Sequence, residues 1–99
     1  MKHFFVEITY TFPFELVAPF LQEHRAFLQT GYDRGMLLLS GPMNPRTGGV
    51  VIARAAAIEE VQSFFAQDPY RLRGVAEHRI VEFEPVKRQP FLDGWVEGR

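Results

Sequence analysis

The chain has no cysteine, which excludes a disulfide scaffold, thiolate catalysis and a sulfur-ligated metal site. It also lacks an excess of charge of either sign: 11 Lys and Arg stand against 12 Asp and Glu, a formal net charge of −1. The longest basic run is the pair Lys87-Arg88, so no long-range field draws in nucleic acid or an anionic membrane surface. No apolar run approaches the ~20 residues of a membrane span. Met1-Lys2-His3-Phe4 leads directly into a strand-like run, with no signal-peptide hydrophobic region. The expectation is a soluble, cytoplasmic protein with a single domain over residues 1–99, its core at 3–85 and a tail at 86–99.

Phenylalanine, by contrast, is plentiful: there are ten, beside one Trp, in a chain that is 46% apolar. This composition excludes a disordered chain. A monomer of this size buries only about 60–65% of its unfolded surface. The surplus of apolar aromatics therefore points to a homodimer interface first and an apolar ligand pocket second.

Residues 3–10 (HFFVEITY) are rich in β-branched and aromatic types and read as a strand. Phe4, Val6, Ile8 and Tyr10 line one face; His3, Phe5, Glu7 and Thr9 line a mixed second face, as in a sheet covered by helices on one side and by a partner on the other. Across 15–34, Leu16, Val17, Phe20, Leu21, His24, Phe27, Leu28 and Gly31 recur at three- and four-residue spacing, the period of a helix. Pro19 costs roughly 3 kcal/mol inside a helix but is tolerated in its first turn. The helix is therefore predicted to start near Ala18 or one turn earlier and to stop at Gly35. Met36 to Gly41 reads as a buried strand, 42–48 as an exposed loop, and Gly49 to Arg54 as the returning arm of a hairpin. Ile58 to Gln67 is helical again, with Glu59 and Glu60 in the first turn where the helix dipole favours acids. Pro69 keeps Asp68 out of the helical region, so the helix ends there. Residues 75–84 alternate as a last strand. The order is β-α-β-β-α-β, an α+β, ferredoxin-like arrangement: a four-stranded antiparallel sheet with two helices on one face.

His24 follows Phe20 by four residues and Leu21 by three, so it shares their core-facing side. A polar ring in that position needs a partner. Two uses are open to it. It can be a core histidine satisfied by Asp68 or a backbone carbonyl, or a general acid/base oriented by the Asp68 carboxylate, which fixes its tautomer. Asp68, as the residue before a proline, also suits an ordinary turn. The acid/base reading fits isomerisation, elimination of an activated leaving group or hydrolysis of a reactive compound, on a small cyclic or aromatic substrate. The alternative for the whole chain is a non-catalytic small-molecule-binding or accessory, regulatory dimeric domain on the same fold. Ser40, at the end of a strand, and Tyr70, beside Pro69, could hydrogen-bond a ligand. Arg25 and Arg46 could clamp a carboxylate, although solvated arginine is the commoner state. His3 and His78 are placed on outer strands, which makes a metal site with His24 remote. Gly48-Gly49 lacks the helix and lysine of a phosphate loop and reads as turn chemistry. No motif calls for a cofactor, and the expected partners are a small-molecule ligand and a second copy of the chain.

Three stretches carry a resemblance: Glu23-His24-Arg25, the strand Gly35-Met36-Leu37-Leu38-Leu39-Ser40-Gly41-Pro42, and Gln67-Asp68-Pro69-Tyr70 followed by Gly74. Together they resemble the YCII-related family over roughly 3–85, with the tail poorly matched. The resemblance implies ferredoxin-like domains that pair into dimeric α+β barrels. It also implies an active site made of a first-helix histidine and the aspartate of the Asp-Pro motif, His24 and Asp68 here. One branch of that family removes chloride from a chlorinated hydroxyquinol.

Overall fold

The alternation in the first segment becomes a nine-residue strand, β1 (Lys2–Tyr10), with Phe4, Val6 and Ile8 fully buried. The computed structural model covers residues 1–99. Three further strands, β2 (Leu37–Pro42), β3 (Gly48–Ala55) and β4 (Ala76–Phe83), complete an antiparallel sheet in the order β2-β3-β1-β4. This is the ferredoxin-like order, and it puts β1 in the middle of the sheet. His3 is therefore on an inner strand, contrary to the expectation of an outer one; His78 does sit on an edge strand, β4, the other edge being β2.

Pro19 divides the first helical segment rather than opening it. A single turn, α1 (Phe14–Val17), passes through a 3-10 turn at Ala18–Phe20 into α2 (Leu21–Asp33). A 3-10 turn accommodates the ring because its hydrogen-bond ladder is short. α2 stops where Gly35 takes φ +73°, as expected of a glycine after a helix. The second long helix, α3 (Ile58–Phe65), gives way at Asp68 to a further turn, α4 (Pro69–Leu72). No helix is long and apolar enough to cross a membrane.

α2 and α3 cover one face of the sheet. Val17, Leu28, Val61 and Phe65 meet Phe4, Val6, Val51 and Ala53 there, and each large side chain so buried contributes about 1.5–3 kcal/mol. The opposite face holds His3, Phe5, Ile52, Arg54, Val81 and Phe83, as the pairing register dictates. The tail docks on one end of that face. Its short helix, α5 (Asp93–Val96), sets Trp95 against the His3 ring at 5.7 Å, and the Arg54 guanidinium lies 5.0 Å above the indole. The Val96 carbonyl lies 3.0 Å from His3 Nε2. Burial, the largest influence, pushes the His3 imidazole below its usual value despite that bond.

Two local features diverge from the sequence expectations. Gly48 and Gly49 are buried residues of β3, not turn residues. A Cβ on Gly48 would stand 1.8 Å from the Ile8 carbonyl oxygen, so only glycine lets β1 and β3 close at this end. Gly48→Ala should destabilise the fold by about 1–3 kcal/mol, the range for forced overpacking, and an unchanged midpoint in urea unfolding would refute that account. The second feature is a register shift in β2 between Leu37 and Leu39. A bulge moves every following side chain to the other face. Leu37 is buried under the helices opposite Ala53, whereas Leu39 pairs with Ile52 and faces outward, 55% exposed. Ser40, opposite Val51, is thereby turned to the helix side.

Candidate active site

Asp68 is the centre of the site. Its backbone is extended at φ −59°, ψ 124°, as the following proline requires. Its carboxylate caps α4 by accepting the Tyr70 N–H at 2.9 Å. The turn role expected of an Asp-Pro pair is therefore real, and the same carboxylate does more. Oδ1 also lies 2.8 Å from His24 Nδ1 on α2, and Oδ2 lies 2.8 Å from His78 Nε2 on β4. The carboxylate is fully buried.

Burial by itself raises the Asp68 carboxyl, but the hydrogen bonds from His24 and His78, the charge of His24 and the Tyr70 amide outweigh it and hold the group below its ordinary value. An ionised carboxylate only accepts hydrogen bonds, so all three partners donate. His24 therefore carries a proton on Nδ1 and His78 on Nε2. In neutral His24 this leaves Nε2 with a free lone pair. That nitrogen has no partner in the chain and is not sealed off, and His24 lines a cleft of about 220 Å³. Tyr70 stacks under the imidazole at 3.9 Å with the planes 6° apart and fixes the ring's tilt.

The cleft gathers the other residues singled out in the sequence. Ser40, Arg25, Arg46 and Tyr70 all line it, over an apolar wall that includes Ile8 and Val51. Ser40 Oγ is 2.7 Å from the Tyr32 hydroxyl, and Arg46 lies 4.1 Å above the Phe14 ring. The Tyr70 hydroxyl is buried without a hydrogen-bond partner. Its pKa is pushed up to about 12, chiefly by burial and also by the nearby Tyr10. An acid whose folded value exceeds its unfolded value stabilises the fold below the unfolded value, and that contribution is lost as pH rises through the folded one. Wild-type stability should accordingly fall between about pH 10 and about pH 12. Tyr70→Phe should lack this part of the alkaline transition, and an identical transition in the variant would refute the assignment.

His78 is the residue sequence reasoning missed. A signal was present: His78 alternates with Ala76 and Ile80, which places it on the helix-covered face of β4. Its side chain is 1% exposed. His3, on the far face of the sheet, is separated from both other histidines.

Fold and site together define a class: a ferredoxin-like domain in which a buried aspartate holds a helix histidine at the edge of a small cleft. The YCII-related domain model matches residues 3–84, and the chain belongs to that family. Among solved structures, it is similar to 5-chloro-2-hydroxyhydroquinone dehydrochlorinase (TftG) from Burkholderia phenoliruptrix AC1100, determined in complex with 2,5-dihydroxybenzoquinone. The two share 18% sequence identity and a TM-score of 0.71, with 82% of this chain and 92% of that chain covered. A likeness at that identity is one of fold. Comparison with curated proteins gives no match.

Proposed function

We propose that the chain is an enzyme that needs no cofactor and uses His24 as general acid and base on a small ring compound, with Asp68 orienting the imidazole. The observation that carries this reading is the pair of unequal nitrogens on His24: Nδ1 is bound to a buried carboxylate, and Nε2 is free at a cleft. Proton transfer of this type contributes about 10²–10⁴-fold. The reaction class proposed is tautomerisation coupled to elimination. A ring hydroxyl gives its proton to Nε2, which returns it to a halogen-bearing ring carbon. A second hydroxyl then loses its proton to Nε2 as the carbon–halogen bond breaks, so that one proton and one halide leave and a quinone remains. Support comes from the relative of the same fold, a dehydrochlorinase whose ligand is a hydroxyquinone.

Nitrogen NMR of the imidazole and halide release from chlorinated hydroxyhydroquinones test this reading together. The neutral His24 ring is expected to carry its proton on Nδ1, and halide release should match substrate loss. A ring protonated on Nε2 alone would overturn the mechanism. Ligand binding at the cleft without turnover would make the chain a binding module instead.

The assembly proposed is a homodimer. Leu39, Ile52, Phe5 and Val81 form one apolar row across all four strands of the face opposite α2 and α3, and the tail occupies only the His3–Arg54 end of it. Leu39 is exposed and the other three are half-buried, and an uncovered apolar row of this kind marks an interaction site. Sedimentation at micromolar concentration should give the dimer mass, and a monomer would sink the proposal.

A further inference from the structure

The two oxygens of Asp68 are served unequally. Oδ1 is bonded to two groups, the His24 ring and the Tyr70 amide, whereas Oδ2 has His78 Nε2 alone, at 2.8 Å. The carboxylate is fully buried, and a buried charged oxygen without a donor forfeits its whole hydration. His78 is thus the one side chain that satisfies Oδ2. It is itself firmly held. On β4 it stands opposite Ile8 of β1, its ring packs against Phe65 at 5.3 Å, and its side chain is 1% exposed. It does not line the cleft.

The other His78 nitrogen, Nδ1, is buried and has no hydrogen-bond partner. A charged imidazole carries an N–H on both nitrogens. Charging His78 would therefore bury an N–H without an acceptor, and a second cation beside a single carboxylate. The neutral ring, with its proton on Nε2, buries only a lone pair there. His24 is placed the opposite way, since its Nε2 is free at the cleft and can gain and lose a proton. Two histidines on one carboxylate so have unlike duties: one changes charge and the other does not. The carboxylate plane is the link between them. The terminal torsion of aspartate is broad, so a carboxylate bonded through one oxygen can turn, and a donor on each oxygen fixes it.

We propose that His78 is a positioning residue: as a neutral donor to Oδ2 it fixes the plane of the Asp68 carboxylate, and so holds His24 in the tautomer that leaves Nε2 free at the cleft. The proposal rests on the acid/base reading of His24 and adds a third residue to it. The His78 bond is also among those that keep Asp68 ionised against its burial. The carboxylate then orients the His24 ring and stays ionised while that ring cycles its proton.

The test measures imidazole nitrogen NMR and halide release from chlorinated hydroxyhydroquinones in wild type, His78→Gln and His78→Leu. Glutamine can set an amide N–H where Nε2 stood; leucine fills similar space and donates nothing. His24 is expected to keep its proton on Nδ1 in wild type and His78→Gln, and to gain a measurable Nε2-protonated population in His78→Leu. In His78→Leu kcat should fall by about 10–100-fold, the loss typical for the outer partner of a functional group. KM should stay within about twofold, because His78 does not touch the cleft. His78→Gln should restore kcat. An unmoved His24 tautomer in folded His78→Leu, or equal losses of kcat in the two variants, would overturn the positioning role. If His78→Leu fails to fold, the wild-type ring decides: His78 must carry its proton on Nε2 alone at neutral pH, and a proton on Nδ1 overturns the proposal. The two readings fail separately. His24-dependent halide release with kcat unchanged in His78→Leu would remove the positioning role and leave the acid/base reading standing. A tautomer shift in His78→Leu without turnover in wild type would keep the positioning role and remove catalysis.

Discussion

Replacing His24 with asparagine is expected to lower turnover by about 10²–10⁴-fold, the contribution typical of a positioned general acid/base, while the chain stays folded. Asparagine removes the titrating nitrogen from the cleft and keeps a polar group near Asp68. The aspartate retains donors from His78 and the Tyr70 amide, so its burial remains compensated. The stability cost should therefore be limited to about 1.5–3 kcal/mol, the net worth of one hydrogen bond to a charged group. Steady-state halide release, with circular dichroism of the same samples, checks both halves of the prediction. Full activity in a folded His24→Asn protein would dismiss the mechanism. The same experiment separates catalysis from a purely structural dyad. In that case His24→Leu would be neutral or stabilising, as apolar replacement of buried polar pairs often is, and no measured reaction would change.

Asp68→Asn should be more damaging to the fold and comparably damaging to activity. One side-chain amide must replace a carboxylate that accepts from His24, His78 and the Tyr70 amide. Its NH₂ end then faces an imidazole N–H, and one histidine must change tautomer or lose its bond. If His24 changes, its proton moves to Nε2, and the lone pair that faced the cleft is gone. Loss of the correct tautomer in a comparable triad costs about 10⁴-fold. Breaking a buried, charge-assisted pair is expected to cost about 3–5 kcal/mol of stability. The effect has a pH signature. Because the folded Asp68 carboxyl lies below its ordinary value of about 3.8, its contribution is complete above about pH 4 and is lost as pH falls through the folded value. The stability gap between wild type and Asp68→Asn should therefore be widest near neutral pH and should narrow in acid. Urea unfolding across that range measures it, and a gap independent of pH would show that Asp68 acts only through packing.

Most of the architecture was legible because it rests on local periodicity. The alternation of Phe4, Val6 and Ile8 places a strand, and the recurrence of Leu21, His24 and Leu28 places a helix with His24 inward. Gly35 and the Asp68-Pro69 pair mark helix ends through backbone sterics that act within one or two residues. Pro19 was harder, since its cost in a helix is met by a 3-10 turn between two helices, and which remedy is used depends on how Val17 and Phe20 pack.

The amino-acid sequence by itself determined that His24 faces the core and that Asp68 leaves a helix end in extended backbone, because each follows from the spacing and dihedral limits of neighbouring residues. The cluster around Asp68 was decided by tertiary structure alone. His24 and Asp68 are 44 positions apart, and His78 joins them only because β4 pairs with β1 in a register that turns it toward the helices. The same holds for Ser40, which reaches the cleft because the bulge after Leu37 reverses the alternation of β2. Local pattern decides which way a side chain points within its element, whereas a shared carboxylate and an inserted residue depend on how separate elements are set against one another.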